Sequence, residues 1–95
     1  MDIGLAIKKV RKNKGLTQNQ LCDKINMTQT YLSLMEGGHK TPSIGTLKKI
    51  SKAVDIPLAL LFWFTISEED VKKDKVDIYK KLKPSIDNLL KDIFY

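Results

Sequence analysis

Apolar positions recur at helical spacing along most of the chain, and turn-forming residues divide them into short blocks. In residues 2–14, Ile3, Ile7 and Val10 form one stripe. Lys8, Lys9, Lys12 and Lys14 spread over the remainder, and Gly15 ends the block. A second block opens at Thr17, whose hydroxyl can accept from a free backbone N–H while Gln20 reaches back, the pattern of a capping box. Leu21, Cys22 and Ile25 share one face. Asn26 can take the left-handed conformation that closes a helix, and Thr28 is a good N-cap for the next. From that helix Leu32 and Met35 point inward, and Gly37-Gly38 ends it. The spacing therefore predicts two short helices around a tight turn. Ser43 caps a fourth helix with Ile44, Leu47, Ile50 and Val54 inward and Lys48, Lys49 and Lys52 outward. Pro57 suits the first turn of a fifth, in which Leu58, Leu61 and Phe62 close the core. Leu60, Trp63 and Phe64 exceed what one such helix needs, which implies a second apolar surface for a dimer partner or for the tail.

The tail, residues 66–95, begins with Ser67-Glu68-Glu69-Asp70, which reads as a helix start or as an acidic linker. From about Lys75 a helical pattern sets Ile78, Tyr79 and Leu82 on one side. Pro84 restricts Lys83 before it, so it is expected to open a last helix rather than kink one. Ile86, Leu89, Leu90, Ile93 and Phe94 give that helix its apolar face. Two such helices read as packing elements, which can cover Trp63 and Phe64, join two protomers or bind a partner. No sustained heptad run argues for a coiled coil.

The outward face of the third helix changes the picture. Gln29, Thr30 and Ser33 place amide and hydroxyl groups at its N-terminal end, with no charge until Glu36. Glutamine can pair bidentately with adenine in the major groove, and serine or threonine can bond to several base edges. A helix whose first turns carry such groups suits insertion there.

Composition narrows the class. Ninety-five residues fit one small domain with a limited core. A single cysteine forbids an intrachain disulfide, which fits a reducing cytoplasm. Cys22 reads as a small core residue, and with the lone His39 it does not make a metal site. No stretch resembles a signal peptide, and the longest apolar run, Ile56 to Ile66, contains Pro57 and is too short to span a bilayer. Residues 1–65 hold ten Lys/Arg and four Asp/Glu, whereas residues 66–95 hold seven of each, so the whole net charge of +6 lies in the first part. A basic face releases counterions from a phosphate backbone; alone, the charge reads equally well as a solubilising surface.

The residues Leu16-Thr17-Gln18, Leu21-Cys22, Asn26-Met27, Thr28, Ser33, Met35-Glu36, Gly38 and Pro42-Ser43 together resemble the helix-turn-helix of the phage-repressor or Cro class, the XRE family, over roughly residues 3 to 65. Cys22 stands where that family has alanine, Asn26 where it has glycine, and Gly37 where a basic residue is common, which removes one phosphate contact. The resemblance implies an all-α fold: a five-helix DNA-binding domain, residues 1–65, followed by a C-terminal helical extension, residues 66–95, of one or two helices. It implies that Gln29, Thr30 and Ser33 read bases, that Gln18, Thr28, Tyr31, Lys40 and Thr41 position the DNA backbone, with His39 a weaker candidate, and that Arg11 pairs with Glu36. Tyr31 is also placed to lie over the edge of the domain.

The expected activity is sequence-specific binding of double-stranded DNA by a cytoplasmic transcriptional regulator, a repressor acting as a homodimer on an inverted repeat. The alternative is an antitoxin-type module that binds a toxin or other protein through residues 66–95. An enzyme is the weakest reading, because no nucleotide loop, metal spacing, paired acids or triad is present, and no cofactor is implied. RNA binding lacks an aromatic stacking platform, and a small-molecule sensor lacks chain for a second domain.

Overall fold

Side-chain caps start the first four helices of the computed structural model, which describes residues 2–95. Asp2 caps α1 (Ile3–Asn13) by accepting from the Leu5 N–H at 3.0 Å. Thr17 and Gln20 form a reciprocal box at α2 (Gln18–Ile25): the Gln20 N–H donates to the threonine hydroxyl at 3.1 Å and the Thr17 N–H donates to the glutamine Oε1 at 2.8 Å. Thr28 caps α3 (Gln29–Glu36) by accepting from the Tyr31 N–H at 3.2 Å, and Ser43 caps α4 (Ile44–Ala53) by accepting from the Thr46 N–H at 3.1 Å. Each cap satisfies a backbone donor that the first turn leaves free. Pro57 stands one position ahead of α5 (Leu58–Trp63), not within its first turn. Asn26 closes α2 at φ 53°, and Gly38 turns the chain after α3 at φ 80°.

Helices α1–α5 enclose one core whose fully buried members include Ile7, Val10, Leu21, Leu32, Met35, Ile50 and Leu61. Gly4 lets α1 cross the end of α3 closely, since a Cβ there would come within 2.9 Å of the Glu36 carbonyl oxygen. Two expectations about the core are corrected. Ile44, expected inward, is 55% exposed. Ile44 is the first residue of α4 and at about 100° per residue lies well to one side of the line through Leu47, Ile50 and Val54; Ser51, on that same side two turns further into the helix, is buried, its hydroxyl donating to the Lys48 carbonyl. Leu60, taken as surplus, is core, whereas Leu58 and Phe62 are only half-buried. The reason is that α5 lies between the core and the tail, so it is covered on two sides.

After two short 3-10 turns, Glu68–Asp70 and Lys73–Lys75, the tail forms a single helix, α6 (Val76–Phe94). This corrects the expectation that Pro84 opens a last helix; it sits inside one. Proline removes the N–H that would reach the Lys80 carbonyl, and both residues lie on the exposed side of the helix. Anchors on either side hold the helix to the domain. The Tyr79 hydroxyl donates to the Ile66 carbonyl at 3.1 Å, and the Trp63 indole donates to Asp87 at 3.1 Å. Lys14 donates to the Phe94 carbonyl at 2.7 Å and lies over the Tyr95 ring. Leu90 and Phe94 pack on the core, and Lys9 lies over the Phe64 ring. All regular structure among the described residues is helical, and none of these helices is long and apolar enough to cross a membrane.

Candidate nucleic-acid interface

The candidate interface is built around one buried ion pair. Arg11 on α1 donates through Nε and Nη2 to the two carboxylate oxygens of Glu36 on α3, at 2.7 and 3.0 Å, and through Nη1 to the Leu16 carbonyl at 2.8 Å. The two side chains are only 8% and 3% exposed. This two-pronged contact fixes the C-terminal end of α3 against α1 and the α1–α2 loop, because the planar guanidinium matches a carboxylate in only a narrow range of orientations.

Gln18, at the start of α2, extends that fixed point to the surface. Its Nε2 donates to Glu36 Oε1 at 3.2 Å, and its Oε1 accepts from Gln29 Nε2 at 3.3 Å. A continuous chain, Arg11–Glu36–Gln18–Gln29, thus runs from the interior of the domain to the first residue of α3. The Gln18 amide keeps one N–H and one lone pair for a further partner. The resemblance implies a DNA-backbone role for Gln18; its bridge to Gln29 leaves no signal in the sequence, because the ten intervening residues are folded over by the α2–α3 turn.

Gln29, Thr30 and Ser33 are exposed and, with Leu34, line a shallow groove on the outer side of α3. Thr28 is exposed, and its hydroxyl, while accepting from the Tyr31 N–H at 3.2 Å, keeps its own hydrogen to donate. Tyr31 is half-buried with its ring against the core, so it lies at the edge of this face. Beyond α3, the His39 and Lys40 N–H groups both donate to the Leu34 carbonyl, which tucks the loop under the helix end. The side chains of His39, Lys40 and Thr41 stay exposed. The lysines in and just after α1 divide: Lys9 pairs with Asp87 and Lys14 donates to Phe94, both in the tail, whereas Lys8 and Lys12 are exposed.

Cys22 lies in the core near this network. Burial pushes its thiol above the ordinary cysteine range, Asp23 and Glu36 push the same way, and the charge of Arg11 opposes them only in part. A thiol so held stays protonated and makes a poor nucleophile.

Two short helices joined by a tight turn, the second with an exposed polar N-terminal face, define a helix-turn-helix domain. The helix-turn-helix family profile matches residues 7–61, and the chain belongs to this XRE-type family. It is 33% identical over 88 residues to the immunity repressor protein of Bacillus phage phi105, an alignment that covers 87% of this chain and 61% of the phage protein. It is 32% identical over 91 residues to the transcriptional regulator SinR of Bacillus licheniformis, covering 95% of this chain and 75% of that one. Among solved structures, a restriction-modification controller protein superposes with a TM-score of 0.62 at 32% identity, covering 66% of this chain and 83% of the other. The same controller has been solved as a tetramer in complex with its natural 35 base-pair operator, with a TM-score of 0.61.

Proposed function

We propose that this chain is a sequence-specific double-stranded DNA-binding transcriptional regulator, a repressor that acts in the cytoplasm as a homodimer on an inverted repeat. The observation that carries the reading is the exposed amide and hydroxyl face of α3, held from beneath by the Arg11–Glu36–Gln18–Gln29 chain. Base readout is favoured when a side chain is ordered before binding yet keeps free hydrogen-bonding groups, because a side chain ordered only on binding loses part of its contact energy to entropy; Gln29, held through one Nε2 hydrogen, keeps the other and its Oε1.

In this reading α3 enters the major groove. Gln29, Thr30 and Ser33 meet base edges, while Gln18, Thr28, Tyr31, Lys40 and Thr41 meet the phosphate backbone. Lys8 and Lys12 add to the positive field. Two copies would present their α3 helices to successive major grooves about 34 Å apart. The relatives named above support this as repressors and regulators, and the controller protein as one solved on an operator. Their names give no support to the toxin-binding alternative.

The test is selection of bound duplexes from a random pool at two salt concentrations. An enriched inverted repeat is expected. Salt-sensitive binding that enriches no sequence would leave a basic helical module without a reading function.

A further inference from the structure

Helix α6 has one broad apolar face, and the domain covers only part of it. Tyr79, Ile86, Leu90 and Phe94 turn toward the domain. Ile78, Leu82, Leu89 and Ile93 lie about a quarter-turn further round the helix, at about 100° per residue, and are 53%, 53%, 58% and 60% exposed. Four large aliphatic side chains on one line form a contiguous stripe rather than scattered surface residues. The stripe adjoins the apolar cleft between α5 and α6, where Pro57, Ala59 and Trp63 face Ile86.

The spacing of the stripe is symmetric. Ile78 and Ile93 lie equally far from the midpoint between Ser85 and Ile86, and so do Leu82 and Leu89. A surface that reads the same from both ends is complementary to itself across a two-fold axis. The charges beside it agree. Lys81 and Asp92 are both exposed and, eleven residues apart, fall on the same flank of the stripe. In an antiparallel pair, equivalent flanks face each other, which brings each lysine toward an aspartate of the other helix.

We propose that a second copy of this chain covers the stripe, α6 against α6 and antiparallel, with the two-fold axis at Ser85–Ile86. Ile78 then meets Ile93 of the partner subunit, Leu82 meets Leu89 of the partner subunit, and Lys81 meets Asp92 of the partner subunit. This deepens the homodimer reading above and rests on it. One helix pair gives an interface at the small end of the range for specific contacts, on the order of 1,000 Å², so the dimer dissociates on dilution and operator DNA strengthens it.

Sedimentation equilibrium of the full chain without DNA tests the pairing. The unaltered chain should sediment at twice its chain mass and dissociate on dilution. Leu82→Glu alone and Leu89→Lys alone each set a charge against leucine and should weaken the dimer at least about tenfold. An equimolar mixture of the two should recover it, because the glutamate then faces the lysine. Both positions are exposed, so the helical circular dichroism should not change, and Leu82→Ala and Leu89→Ala, which add no charge, should weaken the dimer in the same direction. A chain that is monomeric at every concentration, a dimer indifferent to these substitutions, or a mixture that stays monomeric would each overturn the proposal. Because no DNA is present, these outcomes are independent of base selectivity, which the duplex selection reads separately.

Discussion

Replacing Arg11 with methionine leaves the Glu36 carboxylate buried with one hydrogen bond, from Gln18 at 3.2 Å, in place of three. It also frees the Leu16 carbonyl, which loses its 2.8 Å donor. Removing one member of a buried, hydrogen-bonded ion pair costs about 3–5 kcal/mol, most of it the penalty of an uncompensated charge. A domain of this size has roughly 5–15 kcal/mol in total. Arg11→Met should therefore lower Tm by roughly 12 °C or more, and it should move the urea midpoint with little change in slope. The double variant Arg11→Met/Glu36→Leu removes the orphaned charge along with its partner. It should regain most of the loss, since well-packed apolar replacements of buried pairs are often neutral or better. Trp63 fluorescence and helical circular dichroism in urea, read over the full double-mutant cycle, give the coupling directly. A loss below about 1 kcal/mol for Arg11→Met, the figure for a surface pair, or a double variant as unstable as the sum of the singles, would refute the buried-pair reasoning.

Lys40→Ala should weaken binding to all duplexes alike and reduce the slope of log K against log salt by about one phosphate contact; an unchanged slope would place Lys40 off the DNA. Gly4→Ala should destabilise the domain by about 1–3 kcal/mol in a urea titration, because the methyl group meets the Met35 and Glu36 carbonyls across the α1–α3 crossing. That loss has to exceed the gain of about 1 kcal/mol that alanine brings to a helix interior, and a stabilised variant would show that the crossing can widen freely. The third concerns pH. Burial disfavours the Asp87 carboxylate, but hydrogen bonds from Lys83 and Trp63 and the charges of Lys9 and Lys83 outweigh it and hold its pKa below the ordinary aspartate value. A lowered pKa in the folded state means stability that is present above the unfolded value and lost as pH falls through the folded one. Acidification below the normal carboxylate range should thus loosen α6 from Trp63, seen as a change in Trp63 emission, and Asp87→Asn should flatten that dependence; equal pH profiles for both chains would remove Asp87 from the account.

The parts of the fold written in neighbouring residues were legible. The caps at Thr17, Thr28 and Ser43 act over three residues, and the left-handed Asn26 over one, so local chemistry decides them. What escaped was set by elements distant in sequence. Pro84 was read from its backbone restriction alone, whereas contacts from Tyr79 to Phe94 hold one helix through it. Leu60 looked surplus because the pattern does not reveal that α5 is sandwiched. Asp2 was an available cap at the very start of the chain, and its effect was missed. At the interface, residue type and spacing marked Gln29, Thr30 and Ser33, and family likeness paired Arg11 with Glu36. The bridge through Gln18 needs the turn to be folded before its two ends meet, and no periodicity records that.

In the proposed complex Gln29 reads a base edge in the major groove from a position fixed by Gln18. The most direct measurement is affinity for the selected duplex when single adenines are replaced by 7-deazaadenine, which removes the N7 acceptor from the major groove only. A loss of about 1–3 kcal/mol is expected at one adenine in each half-site, and it should vanish in Gln29→Ala. Full affinity with every substituted duplex, or an equal loss with and without the Gln29 side chain, would contradict it.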